Sequence, residues 1–227
     1  MKWILTTLFF LSTFLDGFNR VANINTNIEE AYHSFFAKDY KKAIGHFDYL
    51  HDSLLILEEG IHLNKGHAQY FLTGLSGLSA DINKTAPDTL YIGAANNTYS
   101  RLWIADDENI ASRAFNQSGL LAFKAAFSAD GFNEEQTIDQ SLSYFKSALL
   151  KDPSNENARY NYELLRKYKE FPEQVMEQVR KLVKQRRYVD AYVYITETVK
   201  SASRLQKHQE YIKRLEDIVK IETGYTE

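Results

Sequence analysis

Ser143-Tyr144-Phe145-Lys146 is the one place in this sequence where a hydroxyl nucleophile and a lysine stand at the Ser-x-x-Lys spacing of penicillin-recognising enzymes. That chemistry needs the lysine to take the serine proton inside a desolvated cleft. No Ser-Asp-Asn or Lys-Thr-Gly partner accompanies the motif, and both residues flank the apolar positions of an amphipathic segment. The six histidines are His33, His46, His51, His62, His67 and His208. His62 and His67 are five apart, so on a helix they splay instead of sharing a metal ion. Glu58-Glu59 is expected on a solvated helix face, and Asp106-Asp107-Glu108 at a helix start, where acids complement the dipole. Gly74-Leu75-Ser76-Gly77 lacks the lysine of a phosphate-binding loop. Asn83-Lys84-Thr85, Asn96-Asn97-Thr98 and Asn116-Gln117-Ser118 are glycosylation sequons only in a host that modifies exported asparagines. The residues therefore imply no catalytic group, no metal and no cofactor.

What remains is pattern. Three prolines and ten glycines among 227 residues favour long helices over an all-β fold with its many turns. Tyrosine and phenylalanine, at 15 and 14, suit helix pairs whose gaps are filled by large rings. The net charge of −3 predicts no nucleic-acid partner. It is uneven, with a balance of +3 from Lys151 onward and −6 before it, and Lys181, Lys184, Arg186 and Arg187 form a local basic cluster. With no cysteine there are no disulfides, no thiolate metal sites and no lipid-attachment cysteine.

The chain opens with Lys2 and an uncharged, mostly apolar run from Trp3 to Leu15, the length of a signal-peptide core and short of the ~20 residues that span a bilayer. Residues 1–22 are read as a signal peptide or N-terminal membrane anchor, with cleavage near Gly17 or Ala22 as one outcome and retention as the other. The protein is then expected to be exported, periplasmic or membrane-anchored facing the periplasm, touching membrane only through this segment.

Repeats organise the rest. In Ser141–Asn155, Leu142, Phe145, Ala148 and Leu149 fall on one helical face until Pro153 stops the helix. Upstream, Phe115–Phe123 forms a partner helix in which Gly119 permits close approach. Two more segments repeat the scheme. Ala31–Phe47 carries Ala31, Phe35, Tyr40 and Ala43, and Val179–Ile195 carries Tyr188 and Ala191 in the places of Tyr40 and Ala43. A further pair is split, with Gly66, Tyr70 and Phe71 on its first helix and Ala95, Tyr99, Leu102 and Trp103 on its second. A closing helix, His208–Val219, presents Tyr211, Leu215, Ile218 and Val219 as its apolar stripe.

These units resemble tetratricopeptide repeats. The order of apolar leader, "ALLKDPSNENARYNYELL", "RRYVDAY" and "YIKRLEDIVKIE" resembles the exported tetratricopeptide-repeat proteins of aerotolerance (Bat) gene clusters. The resemblance implies an all-α helical solenoid of antiparallel helix pairs with a C-terminal capping helix. Its array would cover residues 23–171, with inserted loops near 73–89 and 128–135, followed by a repeat-like helix pair and cap over 172–227. It also implies a non-catalytic scaffold that binds proteins or peptides of the cell envelope, in an assembly serving aerotolerance or envelope stress. The rival readings are a structural subunit that self-associates or packs in an envelope complex, and an enzyme with an unrecognised site in the inserted loops. On that reading Ala31, Ala43, Gly119, Phe145, Ala148, Pro153, Tyr188 and Ala191 pack the repeats. Arg113, Asn116, Phe123, Lys124, Tyr160 and Asn161 line the binding groove.

Overall fold

The computed structural model describes residues 2–75, 88–127, 134–201 and 203–224. Most of both expected inserted loops, and the Asn83 sequon, lie outside these residues. Among the described residues the chain is all-helical, with no strand. The helices are α1 (Lys2–Phe36), α2 (Tyr40–Asp52), α3 (Glu59–Leu72), α4 (Thr89–Arg101), α5 (Glu108–Phe127), α6 (Glu134–Lys151), α7 (Glu156–Lys184), α8 (Tyr188–Ser201) and α9 (Gln209–Thr223). A 3-10 turn, Leu102–Ile104, prolongs α4. No described helix is long and apolar enough to cross a membrane. The chain divides into two compact units, Met1–Tyr162 and Glu163–Glu227. The expected boundary between residues 171 and 172 falls inside α7, which continues through Pro172.

Helix starts follow from short polar side chains that satisfy otherwise unbonded N–H groups. Asp39 caps α2 through Lys42 N, Asp88 caps α4 through Leu90 N and Tyr91 N, and Asp107 caps α5 through Asn109 N and Ile110 N. Asn155 caps α7 by accepting from Ala158 N at 3.0 Å.

In the first unit each helix packs on the next, α1 on α2 through to α5 on α6, and α3 also lies against α5. The second helix of each pair buries the same three positions, spaced four and then three residues apart. They are Ala43, Phe47 and Leu50 in α2, Ala95, Tyr99 and Leu102 in α4 with its 3-10 turn, and Ser141, Phe145 and Ala148 in α6. A small first residue lets the paired helix come close, and the ring one turn later fills the space beside it. The facing position on the first helix is small too: Ala31, Gly66 and Gly119. A Cβ added at Gly66 would stand 2.7 Å from Cε1 of Tyr99, and one at Gly119 would stand 2.5 Å from Cε1 of Phe145. Ile61 of α3 joins the core of α1 and α2, and Ala114 and Leu121 of α5 join that of α3 and α4.

The second unit has its own core of Val175, Met176, Val179, Leu182, Ala191, Ile195, Leu205, Ile212 and Leu215, with Tyr188 packed on it. The turn from α7 to α8 reproduces that from α1 to α2 bond for bond. Lys38 N donates to Phe35 O and Asp39 N to Ser34 O; Arg186 N donates to Val183 O and Arg187 N to Leu182 O. Lys38 and Arg186 both take left-handed backbone, at φ 64° and 58°. These residues stand five positions before Ala43 and Ala191, so the register inferred from Tyr40/Tyr188 and Ala43/Ala191 is reproduced in backbone geometry. In α9 the buried stripe shares Tyr211 and Leu215 with the expected one but adds Ile212, whereas Ile218 is 40% exposed.

The glycine contacts yield a paired prediction. Gly119→Ala forces the Phe145 ring from its site and is expected to destabilise the protein by ~1–3 kcal/mol despite alanine's better helix propensity. Gly45→Ala, where a new Cβ meets nothing within 4 Å, should be neutral or stabilising by up to ~1 kcal/mol. Urea midpoints of the two variants measure the difference; equal shifts would show that Gly119 is not packed as described.

Candidate functional site

The turn between α6 and α7 is held by several side-chain hydrogen bonds. Asp152 accepts from Ser154 N at 2.9 Å, from Ser154 Oγ at 2.6 Å and from Asn109 Nδ2 at 3.2 Å. The Ser154 hydroxyl and backbone bonds hold the Asp152 carboxyl below the usual carboxylate range. Asn155 donates through Nδ2 to Ser112 Oγ at 2.8 Å, and Ser112 donates to Ala148 O at 2.8 Å. The segment Asp152-Pro153-Ser154-Asn155 thus ends α6, starts α7 and ties both to α5, with Pro153 itself exposed in the turn.

One turn further along, Asn161 Nδ2 donates to Asn116 Oδ1 at 2.9 Å. A similar bond joins α1 to α3, where Asn64 Nδ2 donates to the Tyr32 hydroxyl at 2.7 Å. Asn116 is buried, while Arg113 on α5 and Tyr160 on α7 are exposed, Tyr160 to 68%. Of the six residues expected to line a groove, Asn116 and Asn161 are therefore brought together, with Arg113 and Tyr160 facing solvent from the same two helices. Phe123 and Lys124 are half-buried farther along α5. The Lys124 ammonium donates to Leu75 O at 2.9 Å and lies 5.7 Å from the centre of the Tyr70 ring. Ala31, Ala43, Phe145, Ala148 and Ala191, expected to pack the repeats, are all buried.

Several contributors were not expected from sequence. Glu59 is not on a solvated face: half-buried, it accepts from Asp106 N at 2.9 Å and Asp107 N at 3.2 Å, fastening the start of α5 to the start of α3. Trp103 stacks on Phe115 at 5.2 Å and donates to Ser118 Oγ. His62 meets His51, with ring centres 4.7 Å apart, and burial followed by that neighbour lowers its pKa. His67 places Nδ1 3.0 Å from the Tyr99 hydroxyl. Ser143 and Lys146 are both exposed on α6. Among the described residues, no three or more histidine and acidic side chains are grouped to hold a metal ion. Arg113 and Tyr160 thus project to solvent from the two helices that the Asn116–Asn161 bond joins.

His67 gives this region a pH dependence. Burial, with the Arg113 guanidinium adding to it, pushes the imidazole down to about 4 from an ordinary value of 6.5. The unfolded chain therefore takes up the proton first, so stability holds above pH ~6.5 and declines as pH falls toward 4, by about 2 kcal/mol between pH 7 and 5. His67→Gln should flatten the stability profile in that window, as read from urea midpoints at the two pH values, with His62 leaving a smaller residual slope of the same sign. An unchanged slope would place the sensitivity elsewhere.

Comparison with protein-family models, with curated proteins and with solved structures returns no match.

Proposed function

We propose that this chain is a non-catalytic protein-interaction scaffold of the bacterial cell envelope, built as a tetratricopeptide-repeat solenoid and delivered by its N-terminal segment. The observation that carries the reading is the pair of hydrogen bonds between alternate helices, Tyr32–Asn64 and Asn116–Asn161. In a stack of helix pairs, the first helices of successive pairs lie side by side and form one continuous face. These bonds join α1 to α3 and α5 to α7, the helices expected to stand first. The repeated buried triplet and the matching turns at Lys38 and Arg186 support the same register.

Arg113 and Tyr160 are the groups available to a partner on that face. A rigid ring and a planar cation are the side chains that most often dominate protein recognition. The apolar leader and the likeness to aerotolerance-cluster proteins support an envelope location, with envelope proteins or peptides as partners. A second reading, a structural subunit that self-associates, is favoured by α8, where Val189 and Val193 stand on successive turns at 42% and 52% exposure.

Affinity capture from solubilised envelopes tests the proposal, comparing wild type with an Arg113→Glu/Tyr160→Ala variant. A stoichiometric partner held by the wild type and weakened at least tenfold in the variant, at unchanged melting temperature, is expected. Equal capture by both would remove this face. A wild type that captures only itself, with a doubled mass by light scattering, would favour the self-associating subunit.

A further inference from the structure

A signal peptide is removed at a small-x-small segment, and Asp16–Ala22, just past the apolar run, offers no clean triplet of that kind. The structure adds that α1 is one helix of 35 residues, Lys2–Phe36, so the apolar run continues into the first helix pair without a break. Gly17 to Ala22, the stretch where cleavage would fall, lies inside it. In the folded chain the backbone N–H and C=O groups of this stretch are taken up within the helix.

The residues just beyond the run are also built into the fold. Arg20 donates through Nη2 to Leu54 O at 3.1 Å, just past the end of α2. One turn on, Asn23 Nδ2 donates to the Tyr49 hydroxyl of α2 at 3.1 Å, and Asn27 Oδ1 stands 3.0 Å from His46 Nδ1. Three successive turns of α1 are thereby fastened to α2 and the segment that follows it, and cleavage after Ala22 would discard the first of these fasteners. Phe18 and Val21 of the same helix are 67% and 56% exposed, extending apolar surface beyond Leu15.

We propose that residues 1–22 are retained, and that the apolar end of α1 is a lipid anchor rigidly joined to the first helix pair. At ~1.5 Å per residue the run from Trp3 to Leu15 measures about 20 Å, against a hydrocarbon core of ~30 Å. The anchor embeds without needing to cross. The partner of this surface is the bilayer itself. The inference rests on the proposed envelope location but not on any protein partner.

Two measurements on the full-length protein test it. In flotation with vesicles of phosphatidylethanolamine and phosphatidylglycerol, the purified protein should rise with the lipid, and a Leu8→Asp/Leu11→Asp variant should lose at least tenfold in bound fraction. Wild type that stays with the soluble fraction overturns the proposal. In bacterial cells, intact mass should show a chain beginning at its first residues in carbonate-washed membranes. A mature chain beginning between residues 17 and 23 in the soluble periplasm overturns retention and leaves the scaffold reading standing. A membrane-held, uncleaved chain that captures no partner sustains the anchor and defeats the scaffold.

Discussion

An aromatic ring seated against a residue with almost no side chain is the contact on which the first unit depends. Phe145 occupies the space that a Cβ on Gly119 would take, and Tyr99 does the same at Gly66. Close-packed interiors leave no slack at such a contact, so the choice of glycine fixes both the distance and the register of the two helices. The triplets around it, Ala95–Tyr99–Leu102 and Ser141–Phe145–Ala148, carry the same spacing onto the second helix. Ala31 shares a buried core with Ala43 and Phe47 at the corresponding positions of the first pair.

Once the pairs are fixed, polar side chains decide how each pair meets the next. Glu59 takes two backbone N–H groups at the start of α5, Asn155 reaches Ser112, and Asn161 reaches Asn116. Each of these buried or half-buried groups finds a partner across helices, and that specifies one stacking geometry in a way that apolar burial alone does not. The groups left facing water, Arg113 and Tyr160, inherit their positions from that stacking. The packing thus sets the spacing of these projecting side chains.

The helices and their pairing were legible because they are local. Pro153 marks the end of α6, Asp107 the start of α5, and the small-then-large spacing at Ala43 and Phe47 recurs in sequence as it does in space. The cross-helix bonds were not legible, because nothing in sequence couples Glu59 to Asp106 or His51 to His62 before the helices are placed. Asn116 and Asn161 were picked out as groove residues, and their side chains bond one another, with Asn116 buried. Of the α9 stripe, Tyr211 and Leu215 pack as expected while Ile218 does not and Ile212 does, since helical periodicity alone does not say which part of an amphipathic face the core will use. The projecting role of Tyr160 was readable only as part of a pattern, and its exposure came from the fold.

The interlock can be measured directly by a double-mutant cycle on Gly119→Ala and Phe145→Leu. If ring and glycine are fitted to each other, the smaller leucine makes room for the new methyl group. The double variant should then be more stable than the sum of the two single losses predicts, by at least ~1 kcal/mol, since contacting residues couple by 0.5–3 kcal/mol. Additive losses would mean that the two residues do not touch, and the register of the helix pairs described here would be wrong.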